Sequence, residues 1–515
     1  MSAAYMMRLA AMVAYMALIV VVGVIYSKKN KTSEGFYLGD RGLGPWVVAM
    51  SAEASDMSGW LLMGLPGLAY VSGLADAGWT AIGLAIGTYL NWLITGRRLR
   101  IYTKVAGNSF TLPDFFSNRF HDQKKILMNI AALIILVFFI PYTAAGFMTC
   151  GNLFNSLFGF NYLTSMIISS VIIVIYTVIG GFLAESTVDF IQGTLMFIAL
   201  LLIVVLGVVN AGGIGNVIAN ANALPGFNSL FYSYVEATGT AKPYGALGIA
   251  SGLAWGLGYF GMPHVLLRFM AIRDANEMKK ARRIGTTWVL ITMGAALAIG
   301  MIGRSLYPVM SGIEEFQGDP ERIFVVMCMR LLNTGLLPIV AGIMLCGVLA
   351  AQISTSDSQL LVASSAISQN FYKGLIRTNA SEKEVMWVSR VTIVVIAVLG
   401  VFVAALVPAD STIFKVVSFA WAGFGAAFGP LVLFMLFWRR MNIPGAIAGI
   451  VVGGASVLIW KFFLSGLGGF FGIYELAPAF VLSCIAIVVV SLLTKAPQKS
   501  VLEEFDAYKK EVARR

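Results

Sequence analysis

Charge is scarce in this chain. Of 515 residues only 12% are Asp, Glu, Lys or Arg, about half of the roughly one-quarter usual in soluble domains. Hydrophobic residues make up 58% and the mean hydropathy is +0.84, a balance that excludes a water-soluble globule. Histidine is nearly absent: His121 and His264 leave no basis for a histidine-built metal centre. The four cysteines, Cys150, Cys328, Cys346 and Cys484, lack CxxC spacing and lie mostly in apolar stretches. They read as buried thiols, with no disulfide framework or zinc site. No nucleophile and base pair stands out, which argues against an enzyme. A net charge of +11 raises the question of nucleic acid, but the basic residues fall in short runs between apolar segments. That excess reports membrane topology, and no nucleic-acid partner is expected.

Long apolar runs are what the sequence does have. About 20 apolar residues cross a bilayer core of roughly 30 Å. Marking such runs between charges and Gly/Pro/Asn clusters predicts thirteen helices, beginning near Met6, Gly44, Gly78, Ile126, Leu163, Phe190, Gly245, Ile284, Phe324, Val391, Ile413, Gly445 and Glu475. The first run, between Arg8 and Lys28, has no small-residue cleavage site and reads as a retained helix. The basic sets Lys28/Lys29/Lys31/Arg41, Arg97/Arg98/Arg100/Lys104, Arg273/Lys279/Lys280/Arg282/Arg283, Lys373/Arg377/Lys383/Arg390, Arg439/Arg440 and the tail from Lys495 then share one side, the cytoplasm. Opposite them lie Asn152 to Tyr162, Asn210 to Gly245, the acidic Glu314/Glu315/Asp319/Glu321 stretch and Pro408 to Ser411. The N-terminus is expected outside and the C-terminus inside, which requires an odd number of spans. The mixed-charge tail after Thr494 reads as a solvated amphipathic end.

A carboxylate inside a span costs roughly 2.5–3.5 kcal/mol on insertion scales and is a functional candidate by default. Asp56 is one, in SAEASDMSGWLLMGLPG, where Ser58, Gly59, Gly64, Pro66 and Gly67 allow the helix to unwind and free backbone oxygens. The bland alternative is that these small residues only permit close helix packing. In LAAQISTSDSQLLVASSA, within the span expected from Phe324, Ala351, Ser354 and Thr355 share one helical face. Their hydroxyls serve a partner helix or bond back to their own. Asp357 is either a polar residue near a water-filled cavity or a second charge site. A second interruption, GLAWGLGYFGMPH, carries Trp255, Tyr259 and Pro263. Paired interruptions in successive halves point to an inverted-repeat transporter with its site at the midplane. Pro141 and Tyr142 add a kink and a phenol facing the same cavity. Glu185 and Asp189 either line an ion exit or cap a helix.

The strings ASDMSGWLLMGLPG, WGLGYFGMPHVLLRFMA, the Ser/Thr stretch before QLLVASSA, and SFAWAGFGAAFGPLVLF resemble the solute:sodium symporter family, from the first span to near Lys495. That resemblance implies an all-α polytopic membrane protein with a leucine-transporter-type core of five plus five inverted helices. The expected organisation is an extra helix and first loop in 1–43, repeats in 44–244 and 245–441, two added helices in 442–494 and a cytoplasmic tail in 495–515. It implies sodium as the coupling ion and L-proline as the solute, carried into a bacterial cell across the plasma membrane, with no organic cofactor. Carried over residue by residue, the ion would be held by backbone oxygens of Ala54, Met57 and Ala351 and the hydroxyls of Ser354 and Thr355. Asp56 would support ion binding and Asp189 would lie on the cytoplasmic ion path. Ser58, Gly59, Trp60, Tyr142, Trp255, Tyr259 and Pro263 would hold proline. Asp357 departs from the family pattern, where a small hydroxyl residue is usual, leaving open an altered stoichiometry or proton involvement. The rival readings are pantothenate, another amino acid or a short carboxylic acid on the same fold, and more remotely a channel or membrane sensor.

Overall fold

A computed structural model describes residues 3–27, 32–407 and 412–514, without the side chains of Ser156 and Phe158. The expected basic residues Lys28, Lys29 and Lys31 and the expected outer loop Pro408 to Ser411 lie outside the described residues.

Helices dominate, and their ends follow local chemistry. The main ones are α1 (Ala3–Ser27), α2 (Pro45–Asp56), α3 (Leu65–Ser72), α4 (Leu74–Leu90), α5 (Ile126–Phe158), α6 (Tyr162–Asn210), α7 (Gly245–Ala254), α8 (Pro263–Ala271), α9 (Met278–Leu306), α10 (Leu337–Ser365), α11 (Glu382–Leu406), α12 (Ile413–Phe437), α13 (Ile443–Ile459), α14 (Leu476–Leu493) and α15 (Lys499–Arg514). Pro45 and Pro263 occupy first-turn positions, where a missing N–H costs nothing. The side chains of Ser381, Thr412 and Asn442 accept backbone N–H groups at the starts of α11, α12 and α13. A two-stranded hairpin, Tyr232–Val235 paired antiparallel with Thr240–Pro243, lies in the connection before α7.

Nine helices among the described residues are long and apolar enough to cross a membrane. One of them, the 49-residue α6, breaks at Gly181, whose φ of 64° and ψ of 175° are open to glycine and costly for other residues. Three further membrane-depth elements are interrupted. α2 and α3 are separated by a π-turn over Trp60–Gly64, α7 and α8 by a 3₁₀ turn over Trp255–Phe260, and α4 runs through a π-turn, Asn91–Gly96, into Arg97–Val105.

Burial orders the helices from lipid to core. α1 and α11 expose Val13, Val21, Val398 and Phe402 at 54–63%, an apolar belt suited to hydrocarbon rather than water. In contrast, 78% of the apolar window in α10 and 83% of that in α12 are buried inside the protein. The breaks themselves, residues 57–64 between α2 and α3 and Trp255–Phe260 between α7 and α8, are packed inside the protein against α10 and α12, and irregular backbone at membrane depth is tolerated only where lipid does not reach.

Two expectations are corrected. The span expected from Phe324 is instead a short helix, Ile323–Leu331, followed by a turn and then α10. The string NTGLLP explains the split, with Gly335 at φ +59° and Pro338 in the first turn of α10. The tail is not a solvated end. α15 docks through Val501, Phe505 and Tyr508, which are 0–3% exposed, and Tyr508 stacks on Tyr102 at 4.0 Å and 7°. Three of the four cysteines are buried, while Cys484 is half-buried.

Candidate functional site

The chain unwinds at Met57. That residue caps α2 with its N–H on the Glu53 carbonyl, and Ser58 and Gly59 follow before the π-turn that begins at Trp60. Glycine is required at 59, because a Cβ there would lie 2.3 Å from Thr149 Cγ2 of α5. The Ser58 hydroxyl accepts the Trp60 N–H at 3.4 Å.

Across from this break, α10 presents its hydroxyl face. Ser354 Oγ donates to the Ala54 carbonyl at 2.8 Å and lies 3.1 Å from the Ala351 carbonyl, which also accepts Thr355 Oγ1 at 3.0 Å. Both readings of the hydroxyls therefore operate at once, as Ser354 bonds to the partner helix and Thr355 to its own. Ala54, Ala351, Ser354 and Thr355 are each fully buried and brought together, and Met57 lies within one turn of Ala54. A set of carbonyl and hydroxyl oxygens suits a small alkali cation. Among the described residues no group of three His, Cys, Asp or Glu side chains is arranged to hold a metal ion.

Asp56 is 1% exposed, and its Oδ2 accepts the Tyr259 hydroxyl at 2.6 Å. That bond joins the two interrupted elements directly. The Asp56 carbonyl accepts Tyr142 Oη at 3.5 Å, while Asp56 Oδ1 is buried without a hydrogen-bond partner. Tyr142 follows Pro141, which lies within α5. The aromatic residues form one cluster: Trp60 and Trp255 have ring centroids 6.2 Å apart, and Tyr259 meets Trp421 edge-on at 5.1 Å. Pro263 is not part of it. It starts α8 and lines a narrow cavity with Thr111 and Leu361.

Asp189 is buried in the second arm of α6, after Gly181, where Ser51 Oγ donates to its Oδ2 at 2.6 Å and Arg268 Nη2 lies 3.1 Å away. Glu185 pairs with the same guanidinium. Glu185 lies about one turn after the Gly181 break and Asp189 about two, and both carboxyls meet the Arg268 guanidinium.

Sequence reasoning missed four contributors. Trp421 donates its indole N–H at 2.8 Å to the carbonyl of Trp255, the first residue of the second break. Glu321, expected only as one of several acidic loop residues, is 4% exposed and accepts the N–H groups of Ile413 and Phe414 at the start of α12. Glu53 is 2% exposed and accepts Trp92 Nε1 at 2.8 Å. Arg268 is fully buried. The last two carried a legible signal, a charge within an apolar stretch, which the nearby Asp56 and the aromatic string overshadowed.

The comparisons with known proteins agree with this arrangement. A model described as the sodium:solute symporter family matches residues 36–453. A sodium/proline symporter of Haemophilus influenzae is 44% identical over 498 residues, 95% of each chain. An osmoregulated proline transporter of Bacillus subtilis is 41% identical over 502 residues, 97% of this chain and 98% of its own. The sodium/proline symporter of Escherichia coli is 41% identical over 489 residues, covering 94% and 93%. Among solved structures, a Na⁺-coupled sialic acid symporter superposes with a TM-score of 0.76 at 20% identity, covering 96% of this chain and 98% of its own. Mhp1, of the nucleobase-cation-symport-1 family, gives 0.55 at 15% identity, covering 93% and 99%. At such identities the likeness shows the fold alone, which is of the leucine-transporter type.

Proposed function

The chain belongs to the sodium:solute symporter family, and from that premise we propose that it imports L-proline together with sodium by alternating access. The observation that carries this reading is the pairing of two facts. Relatives 41–44% identical over nearly their whole length are proline transporters by name, and the expected ion ligands converge where the α2 break faces α10.

In the proposed cycle sodium enters from outside and is held by the Ala54, Met57 and Ala351 carbonyls with the Ser354 and Thr355 hydroxyls. The ion replaces the Ser354 to Ala54 hydrogen bond as the link between the two helices. Asp56 supplies the nearby negative charge, and Tyr259 carries its position to the second interrupted element. Proline lies against Ser58, Gly59, Trp60, Tyr142, Trp255 and Tyr259, its ring on the aromatics and its carboxylate on the unwound backbone. Pro263 begins the inner half of that element, next to the break. Because each solute stabilises the state that binds the other, their affinities are reciprocally coupled. Low cytoplasmic sodium then favours release.

The membrane organisation follows the same reading. Taking the two halves of α6 separately and each of the three further interrupted elements as one span raises the nine long apolar helices to thirteen. Residues 44–244 and 245–441 are the inverted repeats, 1–43 and 442–494 the additions, and α15 within 495–515 the cytoplasmic tail. The N-terminus lies outside and the C-terminus in the cytoplasm of a bacterial cell. Competition tests the solute. Unlabelled L-proline should abolish sodium-driven uptake of the labelled compound, and equal inhibition by pantothenate or other amino acids would reassign the substrate.

A further inference from the structure

Arg268 is a fully buried cation in the second interrupted element, and its guanidinium reaches four helices. Nε donates to Ser51 of α2 at 3.0 Å and Nη1 to the His264 carbonyl of α8 at 3.2 Å. Nη2 meets Glu185, Asp189 at 3.1 Å and Ser358 of α10 at 2.7 Å. The ring of Phe182, next to the Gly181 break, lies 5.0 Å from Cζ. Asp357 joins the group through its Oδ1, which accepts the Ser358 N–H at 2.7 Å. Two carboxyl side chains thus meet one guanidinium and a third is tied to it through Ser358, and Glu185 Oε2, Asp189 Oδ1 and Asp357 Oδ2 are all buried without a hydrogen-bond partner.

A cluster of this kind is poor at stabilising a fold, since apolar side chains of similar volume usually serve as well or better. Charged groups at membrane depth instead mark paths and switches. Its place is informative. Ser51 precedes Ala54 on α2 by about one turn, and Ser358 follows Ser354 on α10 by one turn, with Ser358 Oγ on the Ser354 carbonyl at 2.7 Å. On the topology proposed above, both displacements run from the ion ligands towards the cytoplasm. The cluster is therefore the next layer inward, clamping α2, α6, α8 and α10 across the route an ion must leave by.

We infer that Arg268 is the inner closure of the ion path, a positioning residue that holds α2 and α8 against α6 and α10 until both solutes are bound and that releases them for exit. This rests on the symporter reading. Asp357 is the third arm, tied to the clamp through Ser358.

The test is cytoplasmic accessibility. Met50, 6% exposed, sits beside Ser51 and faces Gly193 of α6, so Met50→Cys in a chain whose four native cysteines are serine reports on the α2/α6 seam. It is alkylated from the cytoplasmic face of inside-out vesicles, with sodium-dependent proline binding measured on the same preparations. Arg268→Gln should raise the alkylation rate about tenfold or more, and Arg268→Lys, which keeps the charge, by no more than about threefold. Ser51→Ala and Ser358→Ala each remove one arm, and about two- to fivefold is expected of either. These two carry the test if Arg268→Gln does not fold. Parental alkylation rates in the Arg268→Gln chain, or in both serine variants, would overturn the inference. A parental chain that binds no proline in sodium would instead sink the symporter reading, while the alkylation comparison would still report on the clamp.

Discussion

Deleting the two α10 hydroxyls one at a time should produce unequal losses of sodium affinity, and the inequality follows from their ion-free hydrogen bonds. Thr355 Oγ1 bonds only within its own helix, to Ala351. Thr355→Ala therefore removes an ion ligand and little else. A hydrogen-bond-strength contact to a charged group is worth about 1.5–3 kcal/mol, so the half-saturating sodium concentration should rise about ten- to a hundredfold. Ser354 differs because its hydroxyl already satisfies the Ala54 carbonyl at 2.8 Å. Ser354→Ala destabilises the ion-free state as well, by about 1 kcal/mol, and that offsets part of the lost ligation. A net rise of about fivefold is expected. The assay is the sodium dependence of initial proline uptake in proteoliposomes, and saturating sodium should restore most of the rate in both. Equal shifts, or a larger one for Ser354→Ala, would refute the idea that the ion replaces the interhelical bond. No shift in either would remove the hydroxyls from the ion site.

Tyr259→Phe removes the hydroxyl on Asp56 Oδ2 and should raise the proline KM about tenfold, as expected for a lost hydrogen bond to a charged group; isothermal binding or uptake kinetics read it. Glu321→Ala leaves the Ile413 and Phe414 N–H groups without their acceptor and should cost about 1–3 kcal/mol of stability, with Glu321→Gln losing less, by thermal unfolding in detergent. On the short helix Leu112–Arg119, between the membrane-depth elements, burial pushes the Asp114 carboxyl up to about 6, against its hydrogen bonds from Thr111 and Asn370. The folded chain then holds the proton more tightly than the unfolded one, so the stabilising contribution is full below the ordinary value of 3.8 and fades as pH rises to about 6. Asp114→Asn should remove a pH-dependent loss of about 3 kcal/mol across that window, and an unchanged slope of stability against pH would contradict it.

Much of the core was readable because unwinding leaves a compositional trace. Gly59, Gly64 and Pro66 around Asp56, and Gly256, Gly258 and Pro263 around Tyr259, marked both breaks. The i, i+3, i+4 spacing of Ala351, Ser354 and Thr355 placed one face of α10 correctly. What spacing cannot carry is the identity of the partner. Nothing local to Arg268 says that its acceptors come from residues 51, 185, 189 and 358, and nothing in the acidic loop says that Glu321 caps a helix more than ninety residues on. The tail failed for a related reason. Val501, Phe505 and Tyr508 form an amphipathic stripe, but the receiving surface, with Tyr102 and the Arg119 guanidinium 5.0 Å from the Phe505 ring, is assembled from distant sequence. The division of α6 was legible as well, because Gly180, Gly181, Glu185 and Asp189 interrupt the apolar run between the helices expected from Leu163 and Phe190, and Gly181 divides α6 into two arms.

The most direct test of the account is uptake of radiolabelled L-proline into proteoliposomes under an inward sodium gradient, with a potassium-matched control. Accumulation above the external concentration that collapses when the sodium gradient is dissipated is the predicted result. Full accumulation in the potassium control would contradict sodium coupling and move attention to protons and Asp357.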